Sequence, residues 1–281
     1  MAFFKIKSYA KVNMALNIIG KSSSLHKIES IVALISLHDE IFIKEIKSGK
    51  HIILFSGKFS KNIGKNNTIS NILDLLEKKK LLKNKKFQIK IKKKIPNEAG
   101  LGGGSMNAAN ILRYFIKKKI IKAPKQELIK ISKLIGSDVI LGLNHANSII
   151  TSKNEIKYFY DCKTLYTLIV KPNFGCSTKE IYKKVGVFSK PRFGNPNKKM
   201  FDIGYLKKCE NSLEKIAFSK YHKLKTLKLY LESLFKPAFV RMTGSGSALV
   251  AYFQSRKRCE KAKNQFIKKY KNYWCITSKT I

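Results

Sequence analysis

The stretch PNEAGLGGGSMNAA (96–109) places four glycines within five residues, between a predicted strand and a predicted helix. The strand, KFQIKIKKKI (86–95), alternates apolar residues with lysines, and the helix is expected to begin at Ser105. Glycines let a backbone approach a ligand closely, and a helix N-terminus offers unpaired N–H groups and the positive end of a dipole. The pattern predicts a phosphate-binding loop, with a ligand-free tight turn as the alternative. The candidate residues are Pro96, Asn97, Glu98, Ala99, Gly100, Leu101, Gly102, Gly103, Gly104, Ser105 and Met106.

The spacing in this loop excludes the two commonest phosphate-binding fingerprints. No Lys-Ser or Lys-Thr follows the last glycine, so the loop is not a P-loop. The glycines also do not follow the G-x-G-x-x-G spacing that is typical of dinucleotide-binding domains.

The hydrophobic periodicity of the segments before and after the loop predicts an α+β fold. Strand-like runs cluster before the loop, and helices alternate with short strands after it, without a regular βαβ repeat. We expect a lobe over residues 1–152 that contains the loop and a second lobe over 153–281, with 186–204 as an irregular loop. The predicted strands are 3–8, 10–19, 28–37, 40–47, 51–56, 86–95, 147–151, 156–161, 165–171 and 273–278, with a strand–turn–strand over 239–253. One predicted helix follows the loop, and the others span 69–82, 125–136, 178–185, 205–217, 222–235 and 256–270.

The charge of the chain is strongly positive, and two interpretations stay open. The 281 residues carry 58 Lys and Arg against 17 Asp and Glu, for a net charge of +41, but only five of the basic residues are arginine. Nucleic-acid readers rely on arginine for bidentate contacts, so we interpret the charge as a solvated lysine surface from an A/T-rich genome. An RNA-binding surface is the alternative.

The five cysteines indicate a reducing compartment. They are scattered and lack metal-ligand spacing, so neither a disulfide framework nor a zinc site is expected. The N-terminus does not resemble a secretory signal, and no apolar stretch is long enough to span a bilayer. We therefore expect a cytoplasmic protein without a membrane partner.

Two further segments carry polar residues in apolar surroundings. MTGSGSALV (242–250) places Gly244, Ser245 and Gly246 between two predicted strands, where either a hairpin turn or a phosphate contact would suit them. SYAKVNMALNIIGK (8–21) is an apolar strand run that contains Lys11 and Asn13. Neither segment identifies a function by itself.

The segments AKVNMALNIIGK, PNEAGLGGGSMNAA and MTGSGSALVAYF, in this order, resemble the GHMP small-molecule kinases. The N-terminal A-K-V-N, with a histidine about fifteen residues on, is similar to the branch that acts on a cytidylyl methylerythritol. The resemblance implies a two-lobed GHMP kinase fold, with an N-terminal lobe like ribosomal protein S5 and a C-terminal α+β lobe. It also implies ATP-dependent phosphorylation of the 2-hydroxyl of 4-(cytidine 5'-diphospho)-2-C-methyl-D-erythritol in the non-mevalonate isoprenoid pathway.

The resemblance also implies roles for single residues. Asp138 and Lys11 match the catalytic aspartate and lysine of the family, and ATP would lie along the glycine-rich loop. The substrate-binding residues that it implies are Asn13, His26, Tyr182, Gly244, Ser245 and Gly246. Mg2+ is expected with ATP, without an assigned protein ligand. A small-molecule kinase of this kind is expected to be a monomer or weak homodimer without a nucleic-acid partner.

Five positions, in three segments, depart from the pattern of the family. The usual D-G-Y-H is here Ser23-Ser24-Leu25-His26, which removes an aromatic side chain beside the cytosine. Met106 replaces a common second serine, and Ile140 replaces a common proline. The alternatives that remain are an inactive paralogue, another GHMP kinase, such as a homoserine, mevalonate or galactose kinase, and a lysine-rich RNA-binding protein.

Overall fold

The computed structural model describes residues 2–22 and 25–281. It contains both strands and helices, and the prediction of an α+β fold is confirmed. The strands are β1 (Phe4–Lys21), β2 (His26–Ile46), β3 (Ile52–Ser56), β4 (Lys86–Lys92), β5 (Asn147–Ile150), β6 (Ile156–Phe159), β7 (Tyr166–Lys171), β8 (Phe239–Met242), β9 (Leu249–Phe253) and β10 (Trp274–Lys279). The α-helices are α1 (Thr68–Lys78), α2 (Gly103–Lys117), α3 (Lys125–Ile135), α4 (Thr178–Lys183), α5 (Ile203–Lys207), α6 (Leu213–Lys220), α7 (His222–Ser233) and α8 (Arg256–Lys269). Short 3-10 helices span Val139–Leu143 and Lys198–Phe201.

The chain forms two compact units, each assembled from several segments. The first unit comprises Met1–Ala10, Leu37–Pro96 and Gly102–His145. The second unit comprises Lys11–Ser36, Asn97–Leu101 and Ala146–Ile281. In the part of the chain that the structure describes, no helix is long and apolar enough to cross a membrane.

In the first unit, an amphipathic sheet packs against helices. The C-terminal part of β2 pairs antiparallel with β4, and β3 joins β4 in parallel. Ile41 and Ile43 lie opposite Ile91 and Ile89 in this register, and all four are buried. Because side chains alternate along a strand, the lysines of β4 point away from this core. The helical residues of the same core include Ile72, Leu73 and Leu76 of α1 and Ala108, Leu112 and Phe115 of α2.

The second unit contains a separate antiparallel sheet and its own core. The strand order is β10-β7-β9-β8. Leu168 and Val170 of β7 face Ala251 and Leu249 of β9 and are fully buried. In the same unit, the N-terminal part of β2 pairs with β5, which pairs with β6.

Two features of the fold differ from the expectations of periodicity. The runs predicted at 3–8 and 10–19 form the single strand β1, and those at 28–37 and 40–47 form the single strand β2. The helix predicted at 205–217 is interrupted between α5 and α6. There Asn211 Nδ2 donates to the carbonyl oxygens of Met242 and Gly244, both at 2.8 Å, while its Oδ1 accepts from Leu213 N–H at 3.0 Å. These contacts provide hydrogen-bond partners for backbone groups where the helix is interrupted.

Candidate active site

The first half of the glycine-rich loop lies against the second glycine turn, within the second unit. Gly100 has φ +70°, and a Cβ at this position would overlap the carbonyl oxygen of Thr243. The Thr243 hydroxyl donates to the Gly100 carbonyl at 3.1 Å, and Lys11 N–H donates to the Leu101 carbonyl at 3.0 Å. Only glycine combines this positive φ with so close an approach of two backbones. The structure thereby brings β1, the loop and the turn together.

The second half of the loop begins helix α2, within the first unit. Gly102 has φ +69° and stands at the N-cap, where no side chain forms a capping hydrogen bond. The helix begins at Gly103, two residues earlier than Ser105, because the left-handed Gly102 already turns the chain into it. No acidic residue lies in the first turn, so the positive end of the helix dipole is not neutralised there. This end of α2 is suited to bind an anion.

Lys11 is a buried lysine held by a short chain of hydrogen bonds. The residue is 3% exposed, and its Nζ donates to Asn13 Oδ1 at 2.6 Å. Asn13 Nδ2 donates in turn to Ser30 Oγ at 2.8 Å, and that hydroxyl donates to the Ala15 carbonyl. A buried ammonium is costly unless it is hydrogen-bonded, so this network holds the charge in one place.

Thr243 is a residue of this network that the sequence reasoning missed. It is fully buried, accepts a hydrogen bond from Asn13 N–H at 3.0 Å and donates to the Gly100 carbonyl. It therefore ties β1 directly to the loop. Its position immediately before Gly244 was the available signal, but a hydroxyl beside a glycine turn is common.

We expect Thr243→Val to lower kcat/KM by about tenfold, because the Asn13 N–H and the Gly100 carbonyl lose a shared partner while the side-chain shape is kept. Thr167→Val is the matched control, since Thr167 is equally buried and its hydroxyl has no hydrogen-bond partner among the described residues. Steady-state kinetics and melting temperatures of both variants test this. Equal losses in the two variants would contradict a special role for Thr243.

Asp138 lies in the first unit, directly before the 3-10 helix Val139–Leu143. It stands at the N-cap position of that helix, yet its side chain forms no capping hydrogen bond. The same segment packs closely on α2, since a Cβ on Gly142 would lie 2.6 Å from Ala109 Cβ. Helix capping therefore does not explain the carboxylate at this position.

His26 and Tyr182 lie side by side in the second unit. Their ring centroids are 5.2 Å apart and the rings are tilted by 50°. His26 Nε2 is buried and has no hydrogen-bond partner within the described residues. Burial, and secondarily the Lys21 ammonium, lowers the pKa of His26 below its ordinary value, so the imidazole is neutral at pH 7. Leu25 is 71% exposed beside this pair, whereas Ser23 and Ser24 lie outside the described residues.

The turn at Gly244–Gly246 is held by contacts to other segments of the same chain. Gly244 and Gly246 have φ +55° and +90°, and Ser245 Oγ lies 2.8 Å from Thr178 Oγ1. A Cβ on Gly246 would lie 2.9 Å from Met242 Sδ. The turn is thus rigid, with a buried hydroxyl at its tip.

The predicted site residues divide between the two units. Lys11, Asn13, Gly100 and Gly244 are joined in the second unit by the contacts described above, and His26 and Tyr182 form a pair there. Asp138 belongs to the first unit, together with the residues that start α2. Within the described ranges, no group of three or more His, Cys, Asp or Glu residues is arranged to hold a metal ion.

Comparisons with known proteins give matches along the chain. Residues 67–151 match the family model of the GHMP kinases N terminal domain. The chain is 56% identical over 281 residues to a 4-diphosphocytidyl-2-C-methyl-D-erythritol kinase of Pelagibacter ubique, covering 100% of both chains. It is 33% identical over 254 residues to the kinase of the same name from Petrotoga mobilis, covering 87% of this chain and 96% of that one.

A solved structure is similar along almost the whole chain. The crystal structure of a 4-(cytidine 5'-diphospho)-2C-methyl-D-erythritol kinase superimposes with a TM-score of 0.78 at 22% identity, covering 98% of this chain and 99% of that one. The prediction of a GHMP kinase fold is confirmed.

Proposed function

The chain belongs to the 4-diphosphocytidyl-2-C-methyl-D-erythritol kinase family, and we propose that it phosphorylates the 2-hydroxyl of 4-(cytidine 5'-diphospho)-2-C-methyl-D-erythritol with ATP. This reaction belongs to the non-mevalonate route to isoprenoid precursors. The observation that carries the proposal is the full-length similarity, which is combined in this chain with hydrogen bonds that join β1, the glycine loop and the second glycine turn. The enzyme is an ATP:alcohol phosphotransferase.

The residues from Pro96 to Met106 are proposed to hold the ATP phosphates. The left-handed glycines shape the loop, and the N-terminus of α2 supplies N–H donors and a positive dipole end. Met106 is buried in the first turns of α2. Its sulfur packs against Gly142, where an added Cβ would lie 3.1 Å from Met106 Sδ. The departure from serine therefore fills the core and leaves the amides of the loop in place.

Asp138 and Lys11 are proposed as the catalytic pair. A carboxylate within reach of the acceptor hydroxyl accepts its proton as the bond to phosphorus forms. A lysine ammonium favours the ionised carboxylate and offsets the charge on the transferred phosphoryl group. The hydrogen bond from Lys11 to Asn13 fixes that ammonium before substrate arrives, which lowers the cost of reaching the transition state.

Mg2+ is proposed to enter with ATP. It prefers oxygen ligands and keeps several waters, and in kinases the phosphates supply much of its coordination. We assign it no protein ligand, since the phosphates and water supply the oxygen atoms that it prefers. The ion would neutralise phosphate charge.

The substrate is proposed to lie along residues of the second unit. The buried, unpartnered Nε2 of His26 is a polar atom that fits the polar edge of a cytosine, and Tyr182 offers a ring to the base. Asn13 and the turn Gly244–Gly246 are proposed to contact the methylerythritol diphosphate part. We further propose a cytoplasmic monomer or weak homodimer with lobes over 1–152 and 153–281, and no nucleic-acid partner.

The decisive experiment is a coupled assay of ADP release by the purified protein. The cytidylyl methylerythritol is expected to be phosphorylated, with 31P NMR placing the new phosphate on the 2-hydroxyl. Homoserine, mevalonate and galactose are the comparison substrates. A preference for one of these would replace the proposed substrate, and inactivity with all four would indicate an inactive paralogue.

We expect His26→Ala to raise the KM for the cytidylyl substrate by about tenfold, because it removes a polar contact to the base. Leu25→Tyr is expected to lower the same constant, since a stacked base contributes about 1–3 kcal/mol. The KM for ATP should stay unchanged in both variants. His222→Ala, at an exposed histidine on α7, is the control. An unchanged KM in both test variants would show that residues 25 and 26 do not contact the base.

A further inference from the structure

Asp39 is a buried carboxylate outside the site described above. It lies on β2, on the same face as Ile41 and Ile43, and is fully buried. An ionised carboxylate in an apolar core is strongly disfavoured unless it is paired and hydrogen-bonded. Lys93, which is 3% exposed, forms an ion pair with Asp39 Oδ2.

Three further donors complete the coordination of this carboxylate. Oδ1 accepts from the backbone N–H groups of Lys94 at 2.7 Å and Ile95 at 2.9 Å. Oδ2 also accepts from Asn107 Nδ2 at 2.9 Å. Four donors match the capacity of a carboxylate, so Asp39 is fully satisfied by these contacts.

The donors stand on both sides of the glycine-rich loop. Residues 93–95 come directly before Pro96, where the loop begins, whereas Asn107 lies on α2, just after it. All belong to the first unit, together with Asp39. One side chain therefore joins the segment that enters the loop to the helix that leaves it.

The ion pair also lies directly under the start of α2. A Cβ on Gly103 would lie 3.0 Å from Ile95 Cγ2 and 3.2 Å from Lys93 Nζ. Gly103 thus rests on the Lys93–Asp39 pair without space for a side chain. Since Lys93 balances the charge of Asp39, the carboxylate does not cancel the positive end of the helix dipole above it.

We propose that Asp39 is a positioning residue for ATP, which clamps both flanks of the phosphate loop through Lys93, the 94–95 backbone and Asn107. This inference rests on the proposed function of the loop. Binding sites for phosphate lose affinity when their donors are displaced, and displacement of about 1 Å costs up to about 100-fold in rate. The clamp keeps the N–H groups of α2 in the geometry that the nucleotide needs.

The test is the affinity for ATP, measured by calorimetry without the second substrate. Asp39→Asn removes a negative charge near an anion site, so an electrostatic effect alone would tighten binding. Loss of the clamp weakens binding instead, and we expect a Kd for ATP about tenfold higher. The KM for the cytidylyl substrate should change less than about twofold. An unchanged or lower Kd in the folded variant would overturn the proposal.

A milder pair of variants decides the question if Asp39→Asn does not fold. Asn107 and Asn110 are both buried on α2. Asn107→Ala removes one clamp contact, and its Oδ1 has no partner among the described residues, so little else is lost. Asn110→Ala instead removes contacts to Ser8, Met106, Arg113 and His145. If the variants acted only through general damage to the helix, Asn110→Ala would raise the Kd for ATP more than Asn107→Ala.

We expect the Kd for ATP to rise about threefold in Asn107→Ala and to stay within the error of measurement in Asn110→Ala. The reverse order would overturn the clamp. Activity of the wild type keeps the two hypotheses apart. If the wild type binds ATP but does not phosphorylate the cytidylyl substrate, the proposed function fails while the clamp is still measured.

Discussion

Asp138→Asn is expected to lower kcat by about 100-fold or more while leaving the fold and the affinity for ATP intact. General-base catalysis contributes about 100- to 10,000-fold, and asparagine keeps the shape of the side chain but cannot accept the proton. The fold should tolerate the change, because Asp138 does not cap the 3-10 helix that follows it. Single-turnover kinetics, calorimetry with ATP and thermal melting measure the three quantities.

Asp202→Asn is the matched control for Asp138. Asp202 also stands at the N-cap of a short helix, α5, without a capping hydrogen bond from its side chain. Its substitution should leave kcat within about twofold, since surface changes away from a site have small effects. Near-normal turnover of Asp138→Asn would show that another group accepts the proton.

The sequence predicted the elements whose pattern is local. The alternation of Phe87, Ile89 and Ile91 with lysines identified β4, because one face of a strand is buried and the other is solvated. The glycines at 100 and 102 predicted a loop with close backbone approach, and both have positive φ. These features depend on neighbours in the sequence, so the pattern alone reveals them.

The missed features depend on residues that are distant in sequence. Thr243 contacts Asn13 across 230 positions, and no local pattern marks one buried threonine in a strand-end motif. Asp39 contacts residues 93–95 and Asn107, on the two sides of the loop. The alternation in SLHDEIF places Asp39 on the apolar face, but it does not show which distant groups pair with the carboxylate. The break at Asn211 likewise arises from carbonyls of a different strand and its turn.

Gly100→Ala is expected to abolish measurable ATP binding or to lower its affinity by about 100-fold. The residue combines φ +70° with a Cβ position that overlaps the backbone carbonyl of Thr243. A flexible side chain could move away from a new methyl group, but the Thr243 carbonyl oxygen belongs to a held backbone. The carbonyl groups on either side of it, those of Met242 and Gly244, accept hydrogen bonds from Asn211 Nδ2. The loop itself must therefore shift, and a shift of about 1 Å displaces every donor that follows Gly100.

The control is Gly204→Ala, at a glycine of α5 where a Cβ would meet nothing within 4 Å. That change should be neutral or slightly stabilising, because alanine restricts the unfolded chain and favours the helix. Calorimetry with ATP and melting curves for both variants separate loop geometry from general stability. If folded Gly100→Ala binds ATP with the affinity of the wild type, the approach of the loop to Thr243 does not shape the phosphate site. Loss of ATP binding with a cooperative melt would instead place the effect in the loop, because the cores of both units would still be intact.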